Sequence, residues 1–153
     1  MFPPRCLVAG TLVVVLTIVP ALASAAEPAA AGRIKLASGK VFVVRANAVV
    51  PAVAGQVLFE ADTLRTGPDG RMGITLNDDT RVSLGPGSEA RLDQFLYAPA
   101  EGRLGLVLQI VHGLVAYVSG RIAKLSPDAV KLETPNAIVG VRGTTLALRV
   151  DAQ

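Results

Sequence analysis

Tryptophan is absent from this 153-residue chain, aromatics make up 4% of it, and there is one cysteine and one histidine. Each shortage closes off a class of function. A lone cysteine forms no intramolecular disulfide, so a disulfide-stapled scaffold is excluded. With so little Cys and His, a transition-metal site would have to be built from carboxylates. Scarce aromatic rings argue against a carbohydrate-binding module, which stacks sugars on such rings. Charge is sparse too. Only 18% of residues are charged, the net charge is +3, and Lys and Arg are scattered singly, which is not the footprint of a nucleic-acid binder. No H-E-x-x-H, G-x-S-x-G or phosphate-loop motif occurs. Gly39-Lys40 imitates the end of a phosphate loop but is followed by Val41. The chain reads as non-enzymatic, with no cofactor, no metal and no evident small-molecule substrate.

What the chain has in plenty is aliphatic residues: hydrophobic residues reach 51% and the mean hydropathy is +0.50. Part of that excess sits at the start. Arg5 is followed by an uncharged apolar run, Leu7 to Val19, then Pro20 and the small-residue stretch Ala21 to Ala26. This is the pattern of a secretory signal with an A-x-A-like cleavage site. The run is short of the ~20 residues a spanning helix needs, so residues 1–26 are read as a signal peptide; an uncleaved membrane anchor is the alternative. Cys6 precedes the apolar run, the wrong side for a lipoprotein cysteine, so the mature chain is free of cysteine. Without residues 1–26 the hydrophobic share falls to about 47%, ordinary for a globular domain. Residues 27–37 read as a linker and 38–153 as a single domain.

Within that domain apolar residues alternate with polar ones. Met72, Ile74 and Leu76 form one set, Val82 and Leu84 another, Ala90 and Leu92 a third. Leu104, Leu106, Leu108 and Ile110 share a face, as do Leu114, Ala116 and Val118, and then Leu146, Leu148 and Val150. Period-2 patterning of this kind marks half-buried strands. Val41 to Val44 and Val107-Leu108-Gln109-Ile110-Val111 carry apolar residues on both faces, which suits strands between two layers. Turn chemistry separates the runs: Gly67-Pro68-Asp69-Gly70, Asn77-Asp78-Asp79 and Gly85-Pro86-Gly87-Ser88. Pro51 confines Val49-Val50-Pro51 to an edge or loop. Gln94–Arg103 and Ile122–Ala129 read as longer connections. The fold class is all-β: about ten short antiparallel strands in a sandwich or roll, with a small β-solenoid as the alternative because glycine-started strand units recur.

Few side chains invite a chemical role. His112 is read as a strand-end residue and not a general base, because no nucleophile or metal partner accompanies it. Asp78 and Asp79 are read as solvated turn residues, since the alternating calcium-loop pattern is missing. Arg65, Arg71, Arg81 and Arg91 are spaced by six, ten and ten. Arg71, Arg81 and Arg91 lie opposite the apolar faces of their strands. If those strands are neighbours, the three form a ladder, a basic contact face for an anionic partner; the plainer reading is edge and surface protection. Arg142-Gly143 interrupts a strand pattern, which suggests a bulge or a close backbone approach.

Three blocks in order resemble the FecR-domain family. The first is Gly55 to Gly67, ending in Asp62-Thr63-Leu64-Arg65-Thr66-Gly67, with Ala61 where the family often has Gly. The second is Gly70 to Leu76, followed by Asp79-Thr80 and Arg81 to Ser88, containing Pro86 and Ser88. The third is Thr134-Pro135-Asn136-Ala137, leading to Val141-Arg142-Gly143-Thr144. The resemblance spans roughly residues 38–150. It implies an all-β module outside the cytoplasmic membrane, and it gives Asp62, Thr66, Gly67, Pro86, Ser88, Pro135, Arg142, Gly143 and Thr144 a structural or partner-contact role. In the best-known members the domain serves cell-surface signalling for iron uptake, and a cytoplasmic segment holds a sigma factor. Here only a handful of residues precede the apolar run, which leaves no room for that segment.

The leading expectation is therefore an exported, periplasmic interaction or signalling module whose partner is another envelope protein. It has no nucleic-acid partner, and it meets the membrane only if residues 1–26 are retained. The alternative is an inner-membrane-anchored regulator of sigma-factor signalling.

Overall fold

Alternation of buried and exposed side chains runs through the strands of a computed structural model that describes residues 27–143 and 145–152. The expected signal peptide and Thr144 thus lie outside the described residues. The strands are β1 (Ala30–Ser38), β2 (Val41–Arg45), β3 (Ala48–Pro51), β4 (Val57–Phe59), β5 (Thr63–Thr66), β6 (Arg71–Leu76), β7 (Arg81–Leu84), β8 (Glu89–Ala98), β9 (Arg103–Val118), β10 (Val130–Thr134), β11 (Ala137–Gly140) and β12 (Thr145–Val150). A five-residue helix, α1 (Arg121–Leu125), lies between β9 and β10.

The strands form one curled sheet, a half-barrel, in the order β3-β2-β5-β8-β9-β7-β6-β1-β4. Pairing is antiparallel except between β10 and β9. This order crosses back and forth over the sheet, unlike the rung-by-rung stacking of a solenoid. Curling brings the inner faces together, so that Ile34, Leu58, Leu64, Met72, Leu92 and Leu132 share one core. Val49–Pro51 falls on the edge strand β3, where the missing N–H of Pro51 costs no ladder bond.

The 16-residue β9 organises the fold. Its first part pairs with β8 and β10, and its second part with β7 and β12. Between the two the register slips: Glu89 stands opposite His112, but Ala90 stands opposite Ile110. Gly113 sits there at φ +97°, and a Cβ at this position would overlap Ser88. This is a bulge, and one extra residue turns every later side chain over. Leu106, Leu108 and Ile110 are buried before it; Val115 and Tyr117 are buried after it. Leu114, Ala116 and Val118 share a face as expected, but the bulge turns that face outward. Leu114 is 48% exposed and points outward.

Two further expectations change. The linker over 27–37 shrinks, because β1 occupies most of it, pairing with both β4 and β6 and burying Ala31 and Ile34. The connection over Gln94–Arg103 is mostly strand: β8 continues to Ala98 before a short 3-10 turn. Ile122–Ala129 is a connection as expected, made of α1 and a second 3-10 turn.

Candidate functional site

Asp62 is read from the sequence as a motif residue, and the fold buries it almost completely. It sits just before β5 because Ala61 takes a left-handed φ of +70°, the backbone shape that favours glycine at this position. Its carboxylate meets Arg45 at the end of β2. Arg45 donates from Nε to Oδ1 at 2.7 Å and from Nη2 to Oδ2 at 2.6 Å, a bidentate fork. The Phe59 N–H adds a third bond at 2.9 Å. Arg45 also donates to the Val57 carbonyl and lies 4.5 Å over the Phe59 ring. The hydrogen bonds to Asp62 hold the guanidinium above its ordinary pKa. The pair ties the β2 hairpin to the β4–β5 turn. Arg45 escapes a reading by motif, because it stands seventeen residues away in an apolar strand.

Thr66 and Ser88 form a second tie. The Thr66 hydroxyl donates to the Gly85 carbonyl at 2.6 Å and accepts from the Ser88 N–H at 2.8 Å. The Leu114 N–H donates to Ser88 Oγ at 3.0 Å, where the bulge in β9 would otherwise strand it. The Gly67 N–H donates to the Lys40 carbonyl, and the Gly87 N–H to the Gly67 carbonyl. Pro86 is exposed in the turn above them. The first two motif blocks thus converge around the β9 bulge and hold backbone to backbone.

Asp78 departs from its sequence reading. It is fully buried, not solvated. One carboxylate oxygen accepts from the Thr80 N–H, and the other from the Thr80 hydroxyl at 2.7 Å and from the Ile122 N–H. It therefore caps α1 across the fold. Only Asp79 behaves as expected, exposed and paired with Arg121 at 2.8 Å.

The third motif block is divided: Pro135 lines a small pocket with Val111 and His112 beside the bulge, whereas Arg142 and Gly143 lie past β11. Thr134 and Ala137 close the β10–β11 hairpin around Pro135, with the Ala137 N–H bonded to Thr134 Oγ1 at 3.0 Å. Arg142 is exposed with Asp128 4.0 Å away, and Gly143 takes φ +60°. The fold does not bring Arg142 or Gly143 to the Asp62 or Ser88 ties.

The arginine ladder is redistributed. Arg71 and Arg81 share the β6–β7 hairpin but stand at opposite ends, because Arg81 faces Thr75. Arg91 is separated from both by β9, since β8 does not pair with β7, and it is paired with Asp93 at 2.8 Å. In its place the outer face of β1, β6, β7, β9 and β12 gathers Arg33 and Arg149. Arg33 faces Thr75 in β6, and Arg149 faces Leu114 in β9. Arg33 falls within residues 27–37, where Ala30 to Gly32 lack the bulk of a strand, so its face is not evident from the sequence. Most described arginines outside this face have a carboxylate partner: Arg45, Arg65, Arg91, Arg103, Arg121 and Arg142. Arg33, Arg71, Arg81 and Arg149 have none among the described residues. The outward strand positions of this face hold no carboxylate; Asp69, Asp79 and Asp151 lie beyond the strand ends. No group of three or more metal-ligating side chains occurs among the described residues.

The family model described as FecR protein matches residues 62–153. No curated protein and no solved structure matches the chain significantly. The match covers more than half of the chain and takes in Asp62, the Thr66–Ser88 tie and the hairpin at Pro135, while Arg45 lies outside it. The chain belongs to the FecR family.

Proposed function

We propose that this FecR-family chain is an exported, periplasmic module that contacts another envelope protein through the outer face of β1, β6, β7, β9 and β12. The family is one of signalling regulators linked to iron uptake through sigma factors, not one of enzymes. Family members are typically envelope-associated, and no helix among the described residues is long and apolar enough to cross a membrane. The signal-like run from Leu7 to Val19 supports export.

The observation that carries the reading is the imbalance of charge on one face. The other described arginines each have a carboxylate within 4.0 Å, whereas four on this face have none among the described residues. Exposed Leu36 and Leu114 lie among them. Apolar surface with unmatched cations at its border is the composition of a contact face, whose charges steer and orient the partner. The motif residues support this division of labour, since Asp62, Thr66 and Ser88 spend their polar atoms on the fold itself.

The test is a photo-crosslinking residue at Ser83, in the middle of the face, in cells that export the protein. The expected result is an adduct with one envelope protein, and an N-terminus at or near Glu27 on the recovered chain. Absence of any protein adduct sinks the contact, and a retained residue 1 sinks cleavage.

A further inference from the structure

The outer face is not flat. Along the β6–β7 hairpin the outward positions are small, Gly73, Ser83 and Gly85, while exposed leucines rise on the flanking strands, Leu36 on β1 and Leu114 on β9. The result is an open groove of about 350 Å³ whose lining includes Leu36, Arg71, Ser83, Gly85 and Leu114. Three strand spacings separate its walls, about 14 Å. That width suits an α-helix, about 10–12 Å across with its side chains, and is too wide for one extended strand. Arg71 lines the groove. Arg33 and Arg81 flank Thr75 beyond its far end, about 13 Å from Arg71 along the strands.

From this the geometry points to one occupant: an amphipathic, acidic helix of the partner protein, lying along β6 and β7. Its aliphatic residues sit on the small-residue floor between the two leucines. One carboxylate meets Arg71, and another meets Arg33 and Arg81. At 1.5 Å per residue, carboxylates seven residues apart are about 10 Å apart, and the arginine side chains cover the rest. The matching pattern is acid, two residues, two adjacent aliphatics, two residues, acid, all on one helix face. This names the partner's chemistry for the contact proposed above and rests on that reading.

Charge decides against the chain's own segments. Residues 1–26 contain no Asp or Glu, and α1 carries Arg121 and Lys124 with no acid. A second copy of the face would set arginine against arginine.

The probe is a synthetic helix-forming peptide of about 14 residues with two central Leu and Glu at positions i and i+7 around them, titrated into the purified protein by fluorescence anisotropy. Saturable binding is expected, weakened at least about tenfold by Arg71→Glu or Arg81→Glu and by Ser83→Trp, which fills the floor. These side chains point outward, so the thermal midpoint stays put. Replacing both Glu by Lys, or moving them next to each other, abolishes binding. The proposal is overturned if the Lys peptide binds as well as the Glu peptide. It is also overturned if the variants bind unchanged, or if anionic phospholipid vesicles bind with the same arginine dependence while the peptide does not. An envelope adduct at Ser83 with no peptide binding defeats the helix and leaves the contact standing; no adduct and no binding defeats both.

Discussion

Two side chains, Asp62 and Ser88, show how the family motif acts at the scale of single residues. Asp62 is 1% exposed and accepts three hydrogen bonds, two of them from a guanidinium. Replacing it by Ala strands Arg45, but the Arg45 side chain is 42% exposed and water receives it in part. The expected cost is about 2–3 kcal/mol, below that of a fully buried pair. Urea unfolding measures it, and a double-mutant cycle with Arg45→Met gives the coupling. Ser88→Ala removes the acceptor of the Leu114 N–H and the oxygen facing the β9 bulge, and is expected to cost about 1–3 kcal/mol. Tyr117 carries a pH dependence. Burial pushes its phenol pKa up from 10.0, and the Asp78 carboxylate adds in the same direction. The folded state therefore keeps the proton longer than the unfolded chain does. Stability is unaffected by this group below pH 10 and falls as pH rises from the unfolded value toward the folded one. Unfolding followed from pH 8 to 11 should show a steeper decline in the wild type than in Tyr117→Phe.

Among the elements, β9 is the one on which the fold turns. Its bulge lets one strand serve both arms of the sheet, and it depends on Gly113, where φ is positive and Ser88 leaves no room for a Cβ. Gly113→Ala is expected to destabilise by more than about 2 kcal/mol, beyond Ser88→Ala, because it adds backbone strain to overlap. Thermal unfolding of the two variants side by side checks the order. The same bulge marks the limit of what period-2 counting discloses. Runs such as Met72–Leu76 and Val82–Leu84 are legible because alternation within one hairpin never slips. Beyond His112 the apolar residues still alternate, but a single inserted residue exchanges the faces, and local hydrophobicity carries no sign of it. β1 was hidden for a related reason. Ala30 to Gly32 lack bulk, so the segment looks like a linker until pairing with β6 supplies its partners.

For the whole molecule, the all-β class and the family were readable from the sequence, because strand alternation and turn chemistry are local signals and the motif blocks lie in order along the chain. The candidate face was readable in part. Arg71 and Arg81 stand opposite apolar positions, which identifies them as outward. That Arg33 and Arg149 join them while Arg91 does not depends on β9 lying between β7 and β8, and strand order is a property of the closed sheet alone. The same topology separates two roles: buried Asp62, Thr66 and Ser88 hold the half-barrel together, and the outer arginines form the face proposed for the partner. The most direct measurement of that separation replaces Arg33, Arg71, Arg81 and Arg149 together by Gln and reads the thermal midpoint and the crosslink from Ser83 on the same protein. The expected result is a midpoint within a few degrees of the wild type, as for surface substitutions, with the envelope adduct lost. An unfolded variant, or an adduct formed as strongly as before, would contradict it.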